Sequence, residues 1–185
     1  MSARIWIAQD VFAPHIQHFL ESLGLDVSIA LCTDSTFLKE DVPTAYLKRV
    51  SIERAQQLRQ KAVQSPQDLF LGITTAPVVG RRLLQPSTSH KEAVRQLTLL
   101  SGRRHRLICA YTLQRSEKKA YGLIQTRVAM KKLTSQEVET LAQQPFFPCD
   151  FTASHITAII GMPGLLQGIP AASLINALKG IGTLA

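Results

Sequence analysis

A chain of 185 residues with 45% hydrophobic and 18% charged residues is long enough to bury a core and too apolar for a disordered segment. Its 21 Lys and Arg against 13 Asp and Glu leave a formal charge of +8, which favours anionic partners without choosing among nucleotides, nucleic acid and membrane surfaces. Three scattered cysteines, Cys32, Cys109 and Cys149, exclude a Cys-x-x-Cys pair and a disulfide framework and point to a reducing, cytoplasmic setting.

Arg4 to Ala8 reads as an opening strand, and its apolar run is too short for a signal peptide or a membrane span. Ala13 to Leu23 carries Ile16, Phe19, Leu20 and Leu23 at helical spacing and stops at Gly24. Leu25 to Leu31 alternates as a second strand. Pro43 opens a long helix through about Ala62, which Ser65-Pro66 ends. Asp68 to Ile73 is a buried strand, with Pro77 and Gly80 marking a turn beyond it. Ser89 to Leu100 is a helix, and Arg106 to Leu113 pairs with Tyr121 to Met130 as two strands. Thr134 and Glu137 form a capping box for a short helix. Pro145 to Asp150 is a loop, His155 to Ile160 a last core strand, and Ala171 to Leu178 a last helix. The apolar C-terminal stretch is interrupted by Pro163, Gln167, Pro170, Asn176 and Lys179, so it reads as strand, loop and helix and not as a span. The order predicts one α/β domain over residues 1–185, a mixed β-sheet flanked by helices.

Chemistry concentrates at Ser101-Gly102-Arg103-Arg104-His105, between a helix and a strand. Converging backbone N–H groups and arginine forks suit phosphate oxygens there; a glycine turn with solvated arginines is the competing reading. Lys48, Arg49, Arg54, Arg59 and Lys61 lie on or near the long helix and read largely as a solvated basic surface. His15 and His18 stand three apart on a helix without a third metal ligand at suitable spacing. No carboxylate pair of the Asp-x-Asp or Glu-x-x-Glu kind marks a magnesium site, and neither a Walker loop, a Gly-x-Gly-x-x-Gly nor a nucleophile elbow occurs. Aromatic residues at 6% do not interleave with the basic runs, so a nucleic-acid platform is not expected.

Taken together, the motifs resemble the Maf family, relatives of the inosine-triphosphate pyrophosphatase fold. The resemblance spans nearly the whole chain. It is carried by Glu92-Ala93 through Leu99-Leu100-Ser101-Gly102-Arg103-Arg104-His105, and by Thr126-x-Val128-x-Met130-Lys131-x-Leu133-Thr134 with Glu137. Ile160-Gly161 with Gly168-Ile169-Pro170 adds to it, as do Ile7-Ala8, Pro14, Leu20, Gly24-Leu25, Pro43, Tyr46 and Glu53-Arg54-Ala55 upstream. The resemblance implies two lobes around a cleft, a homodimer, and cleavage of a nucleoside triphosphate to a monophosphate and pyrophosphate. It also implies magnesium or manganese bridging the phosphates, a carboxylate positioning metal and water, and cationic side chains on the charged tail.

The departures from the family pattern fall where that chemistry belongs. The family's Asp-Thr after the core strand stands here as Thr74-Thr75, its Lys-Pro as Gln85-Pro86, and its arginine pair as His15-Ile16. The acidic element of the second loop is Thr33-Asp34, and the later Lys-Ala-Gly stretch is missing near Cys149-Asp150. The resemblance therefore implies phosphate or base contacts from Ser101, Gly102, Arg103, His105 and Arg54, with Gln85 at the substituted lysine position. Thr74 occupies the catalytic position, no metal site is intact, and Asp34 is the one acidic candidate for catalysis or metal. Three readings stay open: a remnant that binds nucleotide with weak or lost hydrolysis, a working magnesium or manganese enzyme served by Asp34 or another acid, and a non-catalytic interaction or regulatory subunit.

Overall fold

One mixed sheet organises the residues described by the computed structural model, 4–38, 41–62, 65, 67–143 and 155–184. In chain order the elements are β1 (Arg4–Ala8), α1 (Ala13–Ser22), β2 (Asp26–Ala30), α2 (Pro43–Lys61), β3 (Leu69–Val79), β4 (Arg82–Leu83) and α3 (His90–Leu100). They continue with β5 (Arg104–Arg115), β6 (Lys118–Met130), α4 (Ser135–Ala142), β7 (Ile156–Ile160), a 3-10 turn (Pro163–Gln167) and α5 (Ala171–Gly180). The seven strands run β2–β1–β3–β5–β6–β7, with β4 beside the far end of β3. β1 is parallel to β2 and β3, and every other pair is antiparallel. The mixed sheet flanked by helices is the architecture the sequence predicts.

Helices cover both faces of the sheet because its central strands are apolar on both. Leu69, Leu71 and Ile73 of β3, with Leu107, Cys109, Tyr111 and Leu113 of β5, join α1 and α5 in the largest core cluster. On the other face Ala76, Val78, Ile108 and Ala110 meet Tyr46, Leu47 and Val50 of α2. A smaller cluster ties α3 to α4 through Leu97, Leu100, Leu133 and Val138. The buried Cys109 thiol is pushed up to about 12 by desolvation, so it packs as a small hydrophobe. No helix among the described residues is long and apolar enough to cross a membrane.

Two strand readings change. β3 does not stop at Ile73 but continues through Pro77 to Val79. The Pro77 carbonyl faces the β4 side and accepts from Leu84 N at 2.9 Å, so the missing proline N–H falls where only a two-residue strand follows and the β3–β5 ladder is spared. β7, expected as a core strand, pairs with β6 alone at the edge of the sheet, leaving Ile160 66% exposed. The predicted capping box at Thr134 is formed, with Glu137 N donating to Thr134 Oγ1 at 3.2 Å and Thr134 N donating to Glu137 Oε2 at 2.8 Å. The loop expected at 145–150 lies outside the described residues.

The sheet splits on one side of β3. β1 pairs with β3 from Leu69 to Leu71, and β4 takes up the same edge only at Val78. Among the described residues, the edge of β3 between those points has no strand beside it, and it faces a cleft. The cleft lies beyond the C-terminal ends of the parallel strands β1 and β2, the usual place for a ligand in an open α/β sheet.

Two glycines set distances around this opening. Gly72 lets α2 lie directly on β3: a Cβ there falls 1.9 Å from the Ser51 carbonyl oxygen and 2.6 Å from Ala55 N. Gly168, at φ +73°, seats Phe12, whose Cγ lies 2.5 Å from where a Cβ stands. Backbone cannot yield as a flexible side chain does, so Gly72→Ala should lower unfolding free energy by about 2–3 kcal/mol, as overpacked cores do. Urea denaturation measures it, and a loss below 0.5 kcal/mol, read as about the scatter of surface substitutions, counts against the close approach.

Candidate active site

Arg54 lies in the middle of α2, the turn after Ser51, and points into the split of the sheet. The residue is 7% exposed, and its guanidinium gathers three partners. Nε and Nη2 hold Asp34 through both oxygens at 2.7 and 2.6 Å, Nη1 holds Asp10 Oδ2 at 2.6 Å, and Nη1 also donates to the Ile73 carbonyl. Burial alone lowers the Arg54 pKa, but hydrogen bonds and charge from Asp34 and Asp10 outweigh it and raise the pKa above the ordinary arginine value. The Ile73 carbonyl belongs to the strandless edge of β3, so the arginine satisfies a backbone acceptor that no neighbouring strand reaches.

The two carboxylates arrive from two loops. Asp10 follows β1, where its other oxygen accepts from Phe12 N at 2.9 Å and starts α1. Asp34 lies on the connection from β2 to α2, and that connection is clamped by α2 itself. Gln57 exchanges two hydrogen bonds with the Thr33 backbone at 2.9 and 2.7 Å, Tyr46 Oη donates to the Ser35 carbonyl at 3.0 Å, and Lys61 Nζ donates to the Leu31 carbonyl. Arg49 pairs with Asp41 at 2.9 Å. The basic set on this helix is thus largely engaged: Arg54 is buried, while Arg49 and Lys61 fasten the preceding loop.

Asp34, Arg54, Thr74 and Gln85 all line one cleft of about 280 Å³, together with Asp10 and Thr75. Its apolar walls include Val11, Phe12, Leu47 and Leu84. Thr74 is on the α2-facing side of β3 and half-buried. The Thr75 hydroxyl is buried without a nitrogen or oxygen partner among the described residues. Sequence reasoning missed Asp10, which belongs to no motif. Its signal was a lone carboxylate two residues past an apolar strand.

The Ser101–His105 turn takes a different position. Ser101 Oγ accepts from Leu133 N at 2.8 Å, Gly102 N donates to the Lys131 carbonyl at 3.0 Å, and the Arg103 carbonyl accepts from Met130 N at 3.0 Å. Those bonds stitch the α3–β5 turn to the β6–α4 turn. Ser101 and Gly102 border a surface depression beside α4, and the Arg103 side chain also borders a groove that adjoins the cleft through Leu83, Leu84 and Gln85. His105 is buried in β5 opposite Val128. His15 and His18 are exposed on α1, and no three His, Cys, Asp or Glu side chains gather to hold a metal among the described residues.

A split α/β sheet thus opens a cleft with apolar walls and a buried Asp10–Arg54–Asp34 cluster at the ends of its parallel strands. The chain matches the Maf-like protein family over residues 14–181, and it belongs to that family. It is similar to a dTTP/UTP pyrophosphatase of Vibrio parahaemolyticus, 31% identical over 168 residues, covering 85% of this chain and 87% of the relative. A dTTP/UTP pyrophosphatase of Vibrio vulnificus is 30% identical over 169 residues, covering 85% and 89%, and one of Caulobacter vibrioides is 27% identical, covering 80% of each chain.

Burial lowers the His105 pKa to about 4, below the value of about 6.5 for an unfolded chain. Between those values the unfolded state binds the proton and the native state does not, so native stability falls as pH drops through the window. The loss should reach up to about 3 kcal/mol near pH 4. Urea midpoints at pH 7 and pH 4.5 check it, and His105→Leu should flatten the slope in that window whatever it does to stability at pH 7.

Proposed function

We propose that this protein binds a nucleoside triphosphate in the Asp10–Asp34–Arg54 cleft and hydrolyses it weakly or not at all. The family reaction is cleavage between the α and β phosphates, which yields a monophosphate and pyrophosphate. The names of the Vibrio and Caulobacter relatives favour a uridine or thymidine triphosphate as the ligand class. The cleft's apolar walls suit a base. Assembly as a homodimer in the cytoplasm is part of the same reading.

One observation carries the weak-hydrolysis half of the proposal: every carboxylate oxygen in the cleft already accepts a hydrogen bond. Both oxygens of Asp34 accept from Arg54, and those of Asp10 accept from Arg54 and from Phe12 N. At the family's acidic position stands Thr74, whose hydroxyl neither accepts a proton near neutral pH nor holds a divalent ion strongly. These residues do not fit a protein-held magnesium or manganese ion, because a buried cation already occupies the oxygen cage. The same geometry counts against Asp34 as a relocated general base, since a base must be free to take a proton. A non-catalytic interaction subunit remains the second reading, favoured by the same occupied cage.

Two measurements test the proposal. Manganese titrated into the nucleotide-free protein, followed by electron paramagnetic resonance, should show no site tighter than millimolar, and a micromolar site would overturn the occupied-cage argument. In magnesium-containing buffer the protein should release pyrophosphate from UTP or dTTP at background rate. A positioned acid–base group contributes on the order of 100- to 10,000-fold in rate. Thr74→Asp alone should recover little of that, and Thr74→Asp with Gln85→Lys should recover more than the two single changes together. Robust turnover by the unmodified protein that is lost on Asp34→Asn would show instead a working enzyme with a relocated acid.

A further inference from the structure

Helix α2 covers one face of the sheet over β1, β3 and β5. On that same face the outer strands β6 and β7 are left open. Tyr121 is 60% and Ile160 66% exposed, and Gln125, Arg127 and Ala158 are exposed with them. The register sets these side chains on one surface. Tyr121 pairs with Thr112, which bonds Ser51 of α2, and Arg127 lies between Arg106 and Ile160. Alternation along β5 adds Arg104. From Tyr121 to Arg127 the open face is about 20 Å long.

Its charge is of one sign. Arg106 and Arg127 stand directly opposite each other, a like-charged cross-strand pair that disfavours the sheet. Arg106 Nη2 donates to the Gly80 carbonyl at 2.8 Å, which carries it toward the β3–β4 hairpin. The side chains of Arg104 and Arg127 are exposed and have no hydrogen-bond or ion-pair partner among the described residues. Beside the hairpin, a groove of about 570 Å³ brings in Arg81, Arg82, Arg95 and Arg103. Glu92 is the one carboxylate among the described residues that line it, and Thr88 already donates to Glu92 twice, at 3.0 and 3.1 Å. Seven arginines against one carboxylate place six of the chain's eight net positive charges along this surface.

We propose that this surface binds single-stranded nucleic acid, with bases laid on the open strands and phosphates on the arginines. Tyr121 supplies a ring for a base to stack on, Ile160 and the half-buried Leu123 an apolar floor, and Gln125 an amide for base edges. Tyr121 stands apart from the basic runs in sequence, and the two-residue period of β6 brings it onto the face of Arg127. A phosphate between Arg106 and Arg127 turns their repulsion into two charge-assisted contacts. A second copy of the chain fits less well, because a two-fold pairing sets the patch against itself and brings arginines to a surface without carboxylates. None of the seven arginines lines the Asp10–Asp34–Arg54 cleft, so the surface is independent of the proposed nucleotide binding.

Fluorescence anisotropy of a labelled oligodeoxythymidylate of about 12 nucleotides, with salt varied, tests this on the intact protein. The unmodified protein should bind it, with affinity falling as salt rises. Arg104→Ala/Arg127→Ala should flatten the log–log salt slope by about 1.4, two phosphate contacts at roughly 0.7 each. Tyr121→Ala should weaken binding about 5- to 150-fold and leave that slope unchanged, since stacking releases no counterion. Both variants replace exposed side chains, and matched melting temperatures check that they fold. No binding at about 50 mM salt overturns the proposal. Binding equal in affinity and slope across all three proteins also overturns it, and displacement of that strand by saturating UTP then assigns it to the nucleotide cleft. A dimer that Tyr121→Ala converts to monomer, with no oligonucleotide bound, reassigns the face to a second copy and overturns the proposal as well.

Discussion

The rest of the site depends on one buried guanidinium. A charge placed at the join of α2 and β3 is tolerable only if fully partnered, and Arg54 is partnered on three sides by Asp10, Asp34 and the Ile73 carbonyl. Each partner comes from a different segment, the ends of β1 and β2 and the open edge of β3. The arginine can sit there because Gly72 has no side chain to hold the helix off the strand. Helix position, loop position and strand edge are therefore coupled: an error in any one leaves an unpaired charge in the other two.

That coupling also bears on the proposed divergence of scaffold and chemistry. A sheet splayed between β1 and β4 needs something to close its backbone accounting, and a fixed arginine does this without any ligand. On the proposed reading, the arginine takes one lone pair from each oxygen of Asp34 and one from Asp10, which leaves the cage less to offer a metal or a proton. The fold keeps the family's outline, and the same pairing fixes the two loops that border the cleft. The family's scaffold motifs are used structurally: Ser101, Gly102 and Arg103 bind two turns together through backbone and hydroxyl hydrogen bonds.

The sequence made the periodic elements legible because local physics specifies them. The glycine stop of α1, Pro43 at the start of α2 and the Thr134 capping box need only neighbouring residues. Pro77 misled because its tolerance depends on which edge of β3 its missing donor faces, a matter of pairing partners far away in sequence. The edge position of β7 was hidden for the same reason, since Ile156 to Ile160 is apolar whether it is flanked by one strand or two. Within the site, Asp34, Arg54, Thr74 and Gln85 could be named through resemblance. Asp10 could not, because its role exists only when Arg54 crosses 44 residues of chain to reach it.

Phe12 rests on Gly168, and this contact orders events during synthesis. All the polar groups of the cleft lie before Pro86, so a growing chain has made them well before its second half exists. The wall on the other side of the cleft waits for a residue 156 positions later than the ring it seats. Until the ribosome has passed Gly168, Phe12 lacks its seat, and the charged half of the site is present without its apolar half. A contact spanning that much chain is slow to close, and it leaves an aromatic surface exposed while the rest is made. If nucleotide binds there as proposed, binding becomes a report on completion: an interrupted chain can carry Arg54 and both aspartates and still lack a finished pocket.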